Sequence, residues 1–283
     1  MTQHTLDAAG RGERLYLWRF TPLQRTLHAL VIVSFLGLVL TGLPLRFAYA
    51  PWARVLVRAV GGLEAAGVIH RLCAIITFGY FLTHVGSLIY RKLRGTPWKR
   101  ILWGPDSMVP QPKDLRDLIA MFKWFLGRGP RPQFDRYSYM EKFDYLGVFW
   151  GVAIIGSSGL LLWFPEFFAK FLPGWAFNVA TIIHGDEALL AMSFIFTIHF
   201  FNVHLRPEKF PIDLVIFTGR ATVDYLKEEH PLEYDRRREA GALEGLVAPP
   251  VSRLAYLWSI ALGFASLGLG VLVIVLVLWA VLH

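Results

Sequence analysis

Cysteine is almost missing from this chain. A single residue, Cys73, occurs among 283, which excludes an internal disulfide, a CxxCH site for covalent haem and a cysteine-held iron–sulfur cluster. Any redox group must therefore be held by other ligands. Charge is scarce too: 18% of residues are charged against 55% hydrophobic, and the mean hydropathy is +0.45, which excludes an ordinary soluble enzyme fold. Short alternating apolar segments, the mark of a membrane β-barrel, do not occur. Nor does a glycine-rich nucleotide loop or a thiol pair.

What the chain has instead is long uncharged runs, at Thr26–Leu45, Leu72–Tyr90, Tyr145–Pro165, Ala188–Leu205 and Leu254–His283. Each is close to the ~20 residues that a helix needs to cross ~30 Å of hydrocarbon. The expected fold is an all-α integral membrane protein with five transmembrane helices. Residues 1–25 form an amino-terminal segment, 26–211 a four-helix domain with a long loop at 91–142, 212–253 a linker and 254–283 a peripheral fifth helix.

The net charge of +8 suggests nucleic acid until its placement is examined. With the amino terminus inside, the inner segments carry 4, 12 and 8 Lys/Arg residues, and the outer ones only Arg46, Arg54, Arg58, Arg71 and Lys170. That asymmetry of 24 against 5 follows the positive-inside rule, with the carboxyl terminus outside and no nucleic-acid partner. No polar cleavage region follows the first run, so helix 1 is expected to be retained and not removed as a signal peptide. In the inner loop, Asp114–Gly127 places Leu115, Leu118, Ile119, Phe122, Phe125 and Leu126 on one helical face, fitting either an interfacial helix or one packed on the membrane domain. Glu228–Pro250, with Arg236, Arg237 and Arg238, reads as a solvated linker into a structural fifth helix.

Six of nine histidines fall within or at the ends of the first four runs: His28, His70, His84, His184, His199 and His204. Ionisable groups in hydrocarbon are costly, so each is a functional candidate, although a lone membrane histidine is more often an interhelical hydrogen-bonding residue. Spacing distinguishes these. His70 and His84 are 14 residues apart, about 21 Å and 40° short of four turns of α-helix; His184 and His199 are 15 apart, about 22 Å and 60° past four turns. The helices that carry them run in the same direction, so His70 matches His184 in depth near the outer surface and His84 matches His199 near the inner one. Zinc needs three or four ligands converging on one point. Two opposed imidazoles on separate helices are what a haem iron takes, and two stacked haems would carry electrons across the bilayer. Gly37, Gly42, Gly79, Gly147, Gly151 and Gly156 would admit a flat macrocycle or simply pack helices, while Arg71, Arg25 or Arg206 would pair propionates or snorkel.

Several stretches carry a resemblance. Gln24–His28 (QRTLH) followed by SFLGLVLTGLPL, Ile69–Arg71 (IHR), YFLTH ending at His84, Ile183–Ala191 (IHGDEALLA) and Ile198–Pro211 (IHFFNVHLRPEKFP) together resemble the membrane cytochrome b subunits of bacterial respiratory enzymes. These are the formate dehydrogenase gamma, hydrogenase and thiosulfate reductase type, with a histidine pattern also similar to cytochrome b/b6. The resemblance covers about Phe20–Pro211 and implies b-type haems in a four-helix bundle, a quinone site near one face and the bacterial inner membrane. It implies His70 and His184 as the outer axial pair. For the inner haem, the formate-dehydrogenase-like pattern implies His28 with His199, and the cytochrome b/b6 pattern implies His84 with His199. Six histidines also suffice for three haems, which stays open beside two.

Quinol oxidation releases protons as well as electrons. Asp186 and Glu187, acids inside the outer leaflet, are candidates for proton handling, Asp186 alternatively as a hydrogen-bond partner of a ligand histidine. On the inner side His204, Asn202, Asp114 and Asp117 are candidates for a quinone pocket. The expected substrate is menaquinone or ubiquinone, and the expected partner a multihaem cytochrome c or an iron–sulfur subunit at the outer face. The contrasting reading is a haem-free transporter or anchor whose histidines relay protons or bind metal.

Overall fold

Apolar runs of this length fold as helices because hydrocarbon offers backbone groups no other partner. The computed structural model describes residues 15–283, so residues 1–14 of the expected amino-terminal segment lie outside the described residues. It has five helices long and apolar enough to span a membrane: span 1, Pro22–Arg46; span 2, Leu63–Leu93; span 3, Tyr139–Trp163; span 4, Trp175–Leu205; and span 5, Arg253–Leu282. Spans 2 and 4 begin well before the uncharged runs that betray them. Arg71, Asp186 and Glu187 interrupt those runs without interrupting the helices, so His70 and His184 stand inside helices and not at their ends. Spans 3 and 4 are not uniform. Val152–Gly156 in span 3, and Ile195–His199 and Phe201–Leu205 in span 4, are π-helical turns.

The chain forms two units. The first comprises residues 26–86, 147–212 and 260–283. Span 1 lies so close to span 2 that a Cβ on Gly37 would overlap the Cys73 Sγ. A Cβ on Gly156 of span 3 would stand 3.1 Å from the Phe78 ring of span 2. Gly79 and Gly147, in contrast, face no close neighbour, and Gly151 meets only Ile155 of its own helix, so these three mark no interhelical approach. Span 5 packs on spans 1 and 4: Val273 and Ala280 share a buried cluster with Val39, Leu43, Met192, Phe196 and Phe200. A Cβ on Gly270 would meet the Phe200 ring at 2.5 Å, which seats span 5 against the π-helical part of span 4. The Tyr49 hydroxyl donates to the Ala280 carbonyl at 2.7 Å, placing the far end of span 5 beside the loop that follows span 1. An odd number of crossings requires that.

The second unit comprises the described residues up to 25 with 87–146 and 213–259. A three-stranded antiparallel sheet joins it, with β1 (Tyr16–Trp18) between β2 (Arg220–Thr222) and β3 (Val247–Ala248). Leu17, Val215, Ala221, Leu226 and Leu243 form its core. The stretch expected to be a solvated linker is thus folded, with helices at Val223–Glu229 and Pro231–Glu239 and a fully buried Glu233. Buried ion pairs explain why its charge looks like solvated sequence. Glu233 accepts from Arg19, from Arg136 at 2.8 Å and from Arg237 at 2.9 Å, and Arg236 holds Asp135 at 2.7 Å. Burial by itself would raise the Glu233 carboxyl, but Arg19, Arg136 and Arg237 outweigh it and hold the group at about 2.

A carboxyl held below its unfolded value contributes stability that is present above pH 4.5 and lost as pH falls towards about 2. Glu233→Ala leaves two guanidinium groups buried without their counter-charge and is expected to cost about 3–5 kcal/mol. Limited proteolysis of the 213–259 segment across pH 7 to pH 3 checks both statements: the wild type should open only in acid and the variant already at neutral pH.

Candidate functional site

Within the first unit, His70 of span 2 and His184 of span 4 face each other, with ring centroids 6.2 Å apart and ring planes at 64°. Each ring is anchored through Nδ1. The Thr41 hydroxyl donates to the Gly37 carbonyl at 2.6 Å, which leaves its oxygen to accept from His70 Nδ1 at 2.9 Å. His184 Nδ1 donates to the Ile155 carbonyl at 3.0 Å, an acceptor that lies in the π-helical turn of span 3. A carbonyl can only accept, so His184 carries its proton on Nδ1, and the Thr41 geometry puts the proton of His70 there as well. Both Nε2 lone pairs are left to bind a metal.

Glycine backs each ring. A Cβ on Gly42 would stand 3.4 Å from His70 Cε1, and one on Gly159 would stand 2.9 Å from His184 Cε1, too close to be accommodated. The separation itself is informative. A metal bonded at about 2 Å to each Nε2, with each nitrogen about 1 Å from its ring centre, sets opposed imidazole centroids about 6 Å apart. The residues present therefore fit a haem: His70 and His184 would hold its iron, with separation, tautomer and hydrogen-bonded second nitrogen in agreement.

His199 closes the π-helical turn Ile195–His199, where the Phe200 amide reaches back five residues to the Ile195 carbonyl. Such a turn absorbs one residue more than an α-turn, so 15 residues cover the angle of about 14, or about 40° short of four turns. The expected 60° overshoot becomes a shortfall of about 40°, the same offset as between His70 and His84. His28 of span 1 lies in the neighbourhood of His199 of span 4. His84 stands edge-on to the Phe149 ring at 6.1 Å. His204 is buried against Phe200, ring centroids 4.6 Å apart, and its Nδ1 donates to the Pro211 carbonyl at 2.7 Å. Among the described residues, no three His, Cys, Asp or Glu side chains group as a metal cluster.

The expected acids have other neighbours than a ligand histidine. Asp186 pairs with Arg46 at 2.6 Å, both about half exposed at 54% and 49%. Glu187 accepts from the Trp150 indole at 3.1 Å. Arg71, expected on the propionates, is exposed and adjoins His70, and Arg206 pairs with Glu208 at 3.5 Å. In the second unit, Arg25 donates to the Phe217 carbonyl at 2.6 and 2.9 Å. Asp114 binds Lys142 there and Asp117 binds Lys113. These three are committed to ion pairs and backbone within that unit. Sequence reasoning missed Thr41, Ile155, Gly159 and Arg46; a hydroxyl or glycine one or two turns from a glycine-rich TGLPL or SSGLL stretch was the available signal for Thr41 and Gly159.

Apolar spans that hold opposed, Nδ1-anchored imidazoles define a membrane protein of the b-type cytochrome class. The chain belongs to the prokaryotic cytochrome b561 family, which it matches over residues 19–207. This is a family of haem-binding membrane cytochromes of electron transfer. No curated protein matches the chain in sequence.

Proposed function

We propose that this chain is the cytochrome b membrane subunit of a respiratory complex, passing electrons between the quinone pool and a redox partner through two bis-histidine haems in the bundle of spans 1–4. The observation that carries the reading is the His70–His184 pair, with its 6.2 Å separation and both Nδ1 atoms engaged. His28 and His199 are the second pair, supported by their proximity and by the π-turn that sets His199 in register. A haem held there would supply an iron that takes up and gives back one electron. At His70 and His184, Thr41 and the Ile155 carbonyl keep the ring proton on Nδ1, which would leave each Nε2 to the iron.

By charge placement the amino terminus is cytoplasmic and the carboxyl terminus outside, with His70–His184 near the outer face. The partner is a multihaem cytochrome c or an iron–sulfur subunit docking there, and the substrate is menaquinone or ubiquinone. Glu187 handles a quinol proton, positioned by the Trp150 indole, while Asp186 serves as counter-charge to Arg46. Glu187→Gln should slow haem reduction by a soluble quinol on the order of tenfold with haem content unchanged. Equal rates at every pH would leave Glu187 a structural role only.

A reduced-minus-oxidised spectrum with pyridine haemochrome quantitation tests the whole reading. Two haems b per chain are expected. A ratio of three would give iron to His84 as well, and no Soret or alpha band would hand the histidines to proton or metal relay.

A further inference from the structure

The helix Pro112–Phe125 in the second unit is turned inside out for a soluble protein. Asp114 and Met121 are buried, whereas Leu115, Phe122 and Leu126 are 62%, 62% and 68% exposed, and Ile119 and Phe125 are exposed beside them. At about 100° per residue, the exposed apolar stripe lies about a third of a turn from the buried edge, and the cations Arg116 and Lys123 lie about a quarter turn farther on. Its acids do not offset those cations. Asp117 is bound to Lys113 at 2.5 Å. Asp114 caps the helix by accepting from the Gln111 amide at 2.6 Å and binds the Lys142 ammonium at 2.9 and 3.0 Å in a buried pair.

That pair fixes the level of the helix. Lys142 stands in the first turn of span 3, three residues before the uncharged run that begins at Tyr145. A lysine there is where a spanning helix leaves water for lipid. A pair with little exposure on either side thus ties the helix to the end of span 3 where its uncharged run begins.

We infer that Pro112–Phe125 is a membrane-surface helix, with Leu115, Ile119, Phe122 and Leu126 seated in the acyl boundary of an anionic lipid leaflet and Arg116, Lys123 and Arg128 among its phosphates. An amphipathic helix in that position sinks its apolar face about 5–10 Å below the headgroups, and each nearby cation adds attraction to anionic lipid. Lipid is chosen over a protein partner by continuity with span 3, by the unpaired cations at the rim and by the absence of any exposed acid along the helix.

The test uses the full chain in vesicles of phosphatidylcholine and phosphatidylglycerol. Spin labels are attached singly through Ile119→Cys, Phe122→Cys or Lys123→Cys in a Cys73→Ala background, and each label's collision rates with oxygen and with a water-soluble nickel chelate are compared. Labels at 119 and 122 should favour oxygen over the chelate several-fold more than the label at 123. Equal chelate access at all three positions overturns the proposal. So does shielding of 119 and 122 from both reagents, which would mean a protein covers the face. The readout needs no haem, so it stands or falls separately from the proposed electron transfer.

Discussion

Replacing His184 by alanine is expected to lower the haem b content by about one per chain while the other haem keeps its low-spin spectrum. His184 is held by the Ile155 carbonyl and rests on Gly159, a position where no other residue fits without moving the ring. Removal therefore deprives one iron of an axial nitrogen and leaves His70 still anchored by Thr41. On the proposed pairing the second pair lies about four helical turns away, roughly 21 Å. Two further variants sharpen the result. Thr41→Val removes the acceptor of His70 and should weaken retention of the same haem by about 10- to 100-fold without abolishing assembly, as loss of an outer hydrogen-bond partner does elsewhere. Gly159→Leu should match His184→Ala, because its side chain occupies the ring's place. Pyridine haemochrome quantitation and low-temperature spectra read all three. Loss of both haems, or of neither, would sink the assignment.

His28→Ala is expected to remove the other haem, and His84→Ala to retain both. The contrast separates the two patterns that the resemblance leaves open, of which the histidine spacing favours His84. His28 lies in the neighbourhood of His199, and His84 stands against Phe149, itself packed edge-on to Phe81 at 4.9 Å. The π-turn offers a second route to the same answer. Inserting one alanine after Ala191, between His184 and that turn, rotates His199 by about 100° and should abolish the same haem as His199→Ala. Deleting Thr197 inside the turn converts it to α-helix and should leave His199 in register, with the haem kept. Should His84→Ala lose a low-spin haem while His28→Ala keeps it, the pairing runs between spans 2 and 4 instead.

The five spans were legible because lipid tolerates so few sequences, and the histidines because an imidazole in hydrocarbon is conspicuous. Their ends were not, since Arg71, Asp186 and Glu187 sit inside helices that an uncharged-run criterion cuts short. The anchors of the ligands were hidden for a different reason: Thr41 is one of many membrane hydroxyls, and the Ile155 acceptor is a backbone atom with no side-chain signature. Helical arithmetic also failed at His199, because a π-turn leaves no reliable mark in composition. The second unit was the least legible. Arg19, Arg136 and Glu233 are distant in sequence and polar, so each looks solvated until the fold buries them together.

The sheet of that unit imposes an order on biosynthesis. Strand β1 is among the first described residues, yet both of its neighbours, Arg220–Thr222 and Val247–Ala248, are translated after span 4. At about 5–20 residues per second, the first strand waits on the order of 10–40 seconds for its first partner. Throughout that interval β1 offers open edges, Arg19 has no Glu233 to bind, and Asp106, Arg131, Asp135 and Arg136 of the 91–142 loop wait for their partners in 213–259. Four spans are therefore translated before this unit can close, so its closure is a late event in the making of the chain.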